Sequence, residues 1–89
     1  MGKSEISWKG RDAEGIRREV YAKKVGNQWN FYAREKRYDQ WEEMKQPPLD
    51  DWLELLDGVK RRINRRLLPP EDEARVRKMI AERFPDAHT

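Results

Sequence analysis

The stretch RREVYAKKVGNQWNFYARE, residues 17–35, decides the fold because it places two alternating segments on either side of a turn signal. Gly26-Asn27 is a residue pair that favours a tight hairpin turn, and the valine and aromatic residues around it are typical of strands. With this turn at the tip, Val25 lies opposite Gln28 and pairing continues outward residue by residue. We therefore predict an antiparallel β-hairpin.

The predicted register separates two different faces. One face pairs mainly apolar residues across the strands: Val20 with Ala33, Ala22 with Phe31, and Lys24 with Trp29. The other, which we call the outer hairpin face, pairs charged, polar and aromatic residues: Glu19 with Arg34, Tyr21 with Tyr32, and Lys23 with Asn30. A slip of one residue would destroy both patterns, so the side chains themselves specify the register.

Residues 35–48 are the least regular part of the sequence. A turn near Glu35–Arg37 followed by a short strand around Tyr38–Glu43 is the favoured interpretation, and a single helical turn is the alternative. The pattern leaves open whether residues 38–46 form a strand. The answer matters because it decides whether the sheet has an exposed edge available for pairing.

Two helices are predicted in the second half of the chain, over residues 52–67 and 71–84. Each follows a Pro-Pro pair and begins with acidic residues, which are favourable near a helix N-terminus. Asp51 and Glu54 also have the spacing of a capping box. Apolar residues recur at helical spacing in both segments: Trp52, Leu56, Val59, Ile63 and Leu67, widened by Leu53 and Leu55, in the first, and Val76, Met79, Ile80 and Phe84 in the second.

These elements predict a single α+β domain over residues 1–89. Alternation in ISWK at residues 6–9 adds a first strand before the hairpin. Two helices packed on one face of a three- or four-stranded antiparallel sheet would bury every apolar surface, giving a two-layer βββαα arrangement. The sheet portion is expected in residues 1–48, the helices in residues 49–84 and a tail in residues 85–89.

The composition predicts an ordered protein with a very polar surface. Charged residues make up 42% of the chain, but they alternate with apolar and aromatic residues instead of replacing them. The absence of cysteine excludes disulfides and thiolate metal sites. Neither a signal peptide nor a membrane span is evident, so we expect a bacterial-type cytoplasmic protein that does not bind membranes.

The residues needed for common forms of catalysis are scarce. The single histidine is His88, and the Ser and Thr hydroxyls are those of Ser4, Ser7 and Thr89, none beside a plausible base in the sequence. No triad or histidine-based acid/base pair can be assembled from them. We expect a non-enzymatic protein without a metal ion or cofactor, and no small-molecule site is evident.

The outer hairpin face is the first candidate for binding. Tyr21 and Tyr32 are expected side by side, with Lys23, Asn30 and Arg34 around them. Aromatic side chains with cationic neighbours commonly hold single-stranded nucleic acid, because every base has a π-face and every linkage a negative charge. An acidic protein is a further possible partner. Against both, Glu19 adds a carboxylate, and a cross-strand tyrosine pair stabilises a hairpin without any ligand.

Two alternatives remain open. The sheet face and an exposed tryptophan could serve a protein–protein adaptor or a homodimer. In KRRINRR, residues 60–66, the side chains of Arg61, Arg62 and Arg65 form a secondary basic ridge, although cations near a helix C-terminus also complement the helix dipole. A DNA-binding helix-turn-helix is disfavoured because the second helix begins with the acidic EDE, residues 71–73.

The net charge of +3 arises in the first half of the chain. Residues 1–48 hold 11 Lys and Arg against 8 Asp and Glu, whereas residues 49–89 hold 9 of each. The excess is small for a nucleic-acid-binding module, so the charge alone supports that partner only weakly.

Overall fold

The structure is a computed structural model that describes residues 5–11 and 14–87. Its elements, in chain order, are β1 (Glu5–Arg11), β2 (Arg17–Val25), β3 (Gln28–Arg34), β4 (Glu42–Met44), α1 (Leu49–Asn64) and α2 (Glu71–Arg83). The predicted order, an antiparallel sheet followed by two helices, is confirmed, and the fold is α+β. The chain divides into two compact units, Met1–Pro47 and Pro48–Thr89, which hold the sheet and the helices respectively.

The sheet has the strand order β1-β2-β3-β4, and each strand pairs antiparallel with its neighbour. The β2–β3 register confirms the prediction from the Val25–Gln28 pair at the tip to the Glu19–Arg34 pair. Gly26 has a φ of +62° at the first turn position, as a two-residue hairpin turn of type II′ requires, and glycine adopts this conformation without steric cost.

The sheet face opposite the outer hairpin face is apolar and buried. Its buried side chains are Ile6, Val20, Ala22, Trp29 and Phe31. The half-buried Trp8 places its ring edge-on to Phe31, with 5.9 Å between ring centroids and 74° between ring planes. Because side chains alternate along a strand, burial of this set leaves the other set on the outer face.

A fourth strand is present, but it begins at Glu42, four residues later than predicted, and shares only Glu42 and Glu43 with the predicted segment Tyr38–Glu43. A turn occupies the first part of that segment: the Asp39 amide donates to the Lys36 carbonyl (3.0 Å), and the Asp39 carboxylate accepts from the Lys36 amide (3.1 Å). The chain becomes extended only beyond this turn, where Glu42–Met44 pairs with residues 31–33 of β3. The strand is therefore three residues long and forms one edge of the sheet.

Helix α1 begins three residues earlier than predicted. Its N-cap is Pro48, with no side-chain hydrogen bond at the cap, so the expected capping box of Asp51 with Glu54 is not formed. Asp50 and Asp51 instead occupy the first turn, where the positive end of the helix dipole favours carboxylates. The buried residues of this helix are Asp51, Trp52, Leu55, Leu56, Gly58 and Val59.

Helix α1 also ends earlier than predicted, and the reason is local. Arg66 adopts a φ of +60°, its amide donates to the Ile63 carbonyl (2.9 Å), and the Leu67 amide donates to the Arg62 carbonyl (2.8 Å). This pair of hydrogen bonds is the Schellman motif that terminates helices. Leu67 consequently lies beyond the helix and is 59% exposed, so its predicted place in the apolar stripe is wrong.

Helix α2 follows the predicted pattern closely. Val76 and Ile80 are buried, and Phe84 stands at the C-cap just before Pro85. Asp72, in the first turn, is also buried and accepts a hydrogen bond from Arg75 (3.1 Å). Within the described part of the chain, no helix is long and apolar enough to span a membrane.

Candidate functional site

The outer hairpin face extends across the sheet as five rows of side chains, because β1 and β4 add to it in register. From one strand end to the other, the rows are Arg11 and Arg17; Lys9, Glu19 and Arg34; Ser7, Tyr21, Tyr32 and Glu43; Glu5, Lys23 and Asn30; and Val25 and Gln28 at the hairpin tip. The carboxylate of Glu43 lies in the third row and that of Glu5 in the fourth. Positive charge therefore predominates toward the end that carries Arg11 and Arg17.

Three aromatic rings form a cluster in the middle of this face. Tyr21 and Tyr32 are stacked, with ring centroids 4.9 Å apart and planes inclined by 21°, so the predicted cross-strand pair is present. Trp41 meets Tyr21 edge-to-face, with a centroid distance of 4.7 Å and an angle of 84°. We call Tyr21, Tyr32 and Trp41 the aromatic cluster. Such ring pairs contribute about 0.5–1.5 kcal/mol each beyond the area they bury.

Trp41 was not among the residues predicted for this site. It immediately precedes β4, whose pairing with β3 places Glu42 opposite Ala33. The chain segment before β4 thereby passes beside Arg34, and the Arg34 guanidinium lies 4.2 Å from the centroid of the Trp41 ring. The signal available in the sequence was a large aromatic residue next to a possible edge strand, which does not reveal the face on which the ring lies.

Arg34 also ties the aromatic cluster to Glu19. Its Nε donates to the Glu19 carboxylate at 2.7 Å, which confirms the predicted cross-strand pair. The hydrogen bond from Arg34 is the main reason that the pKa of Glu19 is lowered; partial desolvation opposes it, and the charges of Arg34, Lys9 and Arg37 add to it. Glu19 is thus a carboxylate whose charge is offset by a bound guanidinium, and it repels an approaching phosphate less than its position in the sequence suggests.

The rings of the cluster differ in exposure. Tyr21 and Tyr32 are half-buried, whereas Trp41 is 37% exposed. Burial is the largest cause of the raised pKa of Tyr21, and the neighbouring Tyr32 and Glu5 raise it further. The tyrosine pair therefore supports the cluster from the sheet side, and Trp41 presents the most accessible ring.

The predicted site residues are only partly brought together. Tyr21, Tyr32 and Arg34 belong to one contiguous group with Trp41. Lys23 and Asn30 are paired with each other in the next row, about 7 Å along the strands from the tyrosines. Lys23 is exposed and Asn30 half-buried, so this pair borders the cluster instead of completing it.

The secondary basic ridge occupies the last turns of α1 and its C-cap. Arg61 is exposed and pairs with Asp57 one helical turn earlier, which offsets its charge. Arg62 is half-buried, and Arg65 is the exposed C-cap residue. In α2, Arg77 likewise pairs with Glu73 at 3.0 Å. The arginines of the helical unit thus partly neutralise acidic residues of their own helices.

A feature that the sequence did not indicate lies at the end of the sheet where β1 and β3 finish and β2 begins. It is a cleft of about 370 Å³, which we call the basic cleft. Five cationic side chains and two carboxylates line it together with Gly10: Lys9, Arg11, Arg17, Arg18, Arg37, Glu19 and Glu35. These residues come from three segments of the chain, which is why no single stretch of sequence indicates the cleft.

The basic cleft adjoins the aromatic cluster. A second hollow, of about 350 Å³, contains Trp41 and Arg34 in its lining, and it shares Lys9 and Glu19 with the basic cleft. The two features are thus continuous through the second row of the outer face. A ligand that contacts Trp41 can reach the cationic end of the sheet along this path.

The remaining predictions on chemistry concern metal ions and catalysis. Among residues 5–11 and 14–87, no group of three or more His, Asp or Glu side chains is arranged to hold a metal ion. His88, Ser4 and Thr89 lie outside the described residues. The expectation of a non-enzymatic protein remains a prediction.

Comparisons of this chain with protein-family models, with curated proteins and with solved structures found no match.

Proposed function

We propose that the sheet unit binds single-stranded nucleic acid on its outer face. The aromatic cluster stacks against bases, and the cations at the adjoining end of the sheet contact the phosphates. The observation that carries this proposal is the continuity of an aromatic cluster with a cleft lined by five cationic side chains. Aromatic platforms beside a positively charged groove are the usual means of holding single strands without strong sequence preference.

The stacking part of the proposal assigns the main contact to Trp41. This ring is the most accessible of the cluster, and its contacts with Tyr21 and Arg34 hold it in place before a base arrives. A ring already held in place loses little conformational freedom on binding. A stacked base is worth about 1–3 kcal/mol by alanine substitution.

The electrostatic part of the proposal concerns the path of the bound nucleic acid across the sheet. Glu5 lies in the row of Lys23 and Asn30, and Glu43 lies opposite Tyr32, whereas the opposite end of the face carries Arg11 and Arg17. A polyanion is therefore favoured to run from the aromatic cluster toward the two arginines. This moves the phosphate contacts away from Lys23 and Asn30, which the sequence favoured, and toward the basic cleft.

A protein partner is the second candidate function. Trp, Tyr and Arg are the residues most enriched at the energetic centres of protein interfaces, and Trp41, Tyr21 and Arg34 form such a group at the surface. An acidic protein or a second copy of the chain would satisfy this chemistry. Binding to either depends less on counterion release than binding to nucleic acid does.

Fluorescence anisotropy with a labelled oligothymidylate of about 12 nucleotides tests the proposed function, since binding sites of this kind cover about 4–16 nucleotides. We expect the full chain to bind the single strand more tightly than a duplex of equal length. Trp41→Ala is expected to weaken binding by about 1–3 kcal/mol. Tyr38→Ala is the matched control, because Tyr38 is 82% exposed and its ring contact is with the Lys36 ammonium group, outside the aromatic cluster.

The outcomes separate the two candidates. Trp41→Phe retains a ring and should recover most of the affinity, which distinguishes stacking from a general loss of structure; thermal unfolding of each variant checks that the fold is kept. Absence of binding at about 50 mM salt would rule out the proposed function, since phosphate contacts are strongest there. A dimer in sedimentation equilibrium that Trp41→Ala dissociates would favour the protein-partner function instead.

A further inference from the structure

The basic cleft contains a repulsive arrangement of charge. Arg11 and Arg17 stand directly opposite each other in the β1–β2 register, on the same face of the sheet. Like charges at directly opposed positions destabilise a strand pair. Arg11 donates to the Gly15 carbonyl, a neutral acceptor, at 3.1 Å.

A third arginine adds to this charge from another segment. Arg37 follows β3 and lines the same cleft as Arg11 and Arg17. Within residues 5–11 and 14–87, neither Arg17 nor Arg37 forms an ion pair, and both side chains are exposed. A guanidinium that is exposed and not committed to a carboxylate is available for bidentate contacts with phosphate oxygens.

The carboxylates of the cleft offset only part of this charge. Glu19 is held by Arg34 from outside the cleft, at 2.7 Å. Arg18 is directed toward Met44, whose sulfur its Nη1 approaches at 3.3 Å, so it is not counted among the ligands. Glu35 is the remaining carboxylate, against Lys9 and three arginines. The volume of about 370 Å³ lies within the range of about 300–1,000 Å³ for small-ligand sites.

We propose that the basic cleft is a phosphate-binding site formed by Arg11, Arg17 and Arg37, which holds the backbone phosphodiester of a single strand whose base lies on the aromatic cluster. The identity of the ligand rests on the proposed function, whereas the location of the site rests on the cleft itself. Binding of an anion there also relieves the repulsion between the two opposed arginines. Asp12 lies outside the described residues and is not part of the proposed site.

The test compares the salt dependence of oligothymidylate binding by the full chain and by its variants. For single strands, each phosphate contact contributes about 0.7 to the logarithmic salt slope, so a rise from about 50 to 200 mM changes affinity about 2.6-fold per contact. Arg17→Gln/Arg37→Gln removes two phosphate contacts. The ratio of the affinity at about 50 mM salt to that at about 200 mM salt should therefore fall about 7-fold. Arg65→Gln, which removes one charge on an exposed arginine outside the cleft, should leave that ratio nearly unchanged, whereas Arg17→Gln alone should reduce it about 2.6-fold.

Tripolyphosphate measured by isothermal titration calorimetry separates the site from its ligand. If the double variant binds both oligothymidylate and tripolyphosphate more weakly than the natural chain, with the reduced salt slope for oligothymidylate, the site and the proposed function both hold. Oligothymidylate binding with an unchanged salt slope in the double variant overturns the phosphate site and leaves the proposed function standing. A third outcome is that tripolyphosphate binds and needs Arg17 and Arg37, but oligothymidylate does not bind at all. In that case the cleft is a phosphate-binding site, and its ligand is not nucleic acid.

Glu35→Gln is an independent variant that is expected to change the affinity in the opposite direction. Removing the remaining carboxylate of the cleft should strengthen binding of both ligands, because it lowers the repulsion between cleft and phosphate. If Glu35→Gln leaves both affinities unchanged while the double variant binds as tightly as the natural chain, no phosphate is held in the cleft.

Discussion

At the scale of single residues, Arg66 occupies the position after helix α1 at which glycine usually ends a helix. Among the described residues it is the one non-glycine with a positive φ, at +60°. Glycine normally occupies this position of a Schellman motif, because a Cβ atom is crowded in the left-handed region. The hydrogen bonds of Arg66 and Leu67 to the last turn of α1 offset part of that strain.

Arg66→Gly is accordingly expected to stabilise the protein. Relief of a left-handed side chain is worth about 1–2 kcal/mol, and the added flexibility of glycine in the unfolded chain costs about 0.5–1 kcal/mol. The net gain should be about 0.5–1 kcal/mol in the free energy of unfolding, measured by urea denaturation. Arg65→Gly is the control: its φ of −91° needs no relief, so that variant should lose stability. A less stable Arg66→Gly variant would show that the conformation carries no strain.

At the scale of elements, the β2–β3 hairpin is the part of the fold that the sequence predicts best. Its register follows from local information, namely a glycine turn and two strands whose faces match pair by pair. The Glu19–Arg34 and Tyr21–Tyr32 contacts of the site are consequences of that register and were predictable with it.

Other parts of the fold and the site depend on information that is not local. The place of β4 is set by the hydrogen-bonded turn at Lys36–Asp39, and Trp41 joins the site only because β4 pairs with β3. The end of α1 is marked by an arginine instead of a glycine. The basic cleft is formed by three segments, so no single stretch of sequence reveals it.

The Glu19–Arg34 pair should make the stability of the hairpin depend on acid pH. A carboxylate whose pKa is lowered in the folded state stabilises the fold above its unfolded pKa, and this contribution is lost as the pH falls through the folded value. Between pH 7 and about 4.3, the ordinary glutamate value, Glu19→Gln should therefore unfold at a lower temperature than the natural chain. Below that pH the difference should shrink as Glu19 becomes protonated.

Thermal unfolding followed by circular dichroism at pH 7, 5, 4 and 3 measures this effect. Glu43→Gln serves as the matched control, because Glu43 lies on the same face, opposite Tyr32, and should leave the unfolding temperature at pH 7 unchanged. If the difference between Glu19→Gln and the natural chain stays constant down to pH 3, the pair does not stabilise the sheet through charge.

At the scale of the whole molecule, charge and aromatic surface are distributed unequally between the two units. The net positive charge belongs to residues 1–48, and the aromatic cluster and the basic cleft belong to the sheet within them. The helical residues 49–89 carry balanced charge, with ion pairs such as Arg75–Asp72 and Arg77–Glu73 inside α2. This distribution assigns the proposed binding to the sheet unit.

The most direct test of that assignment is a two-dimensional ¹H–¹⁵N NMR titration of the full chain with oligothymidylate. We expect the indole N–H of Trp41, the backbone amides of Tyr21 and Tyr32 and the side-chain Nε–H of Arg17 to shift, while the amides of Arg61 and Arg65 stay in place. Shifts centred on Arg61 and Arg65, or an unchanged spectrum at saturating oligonucleotide, would contradict the account and remove the outer face of the sheet as the binding surface.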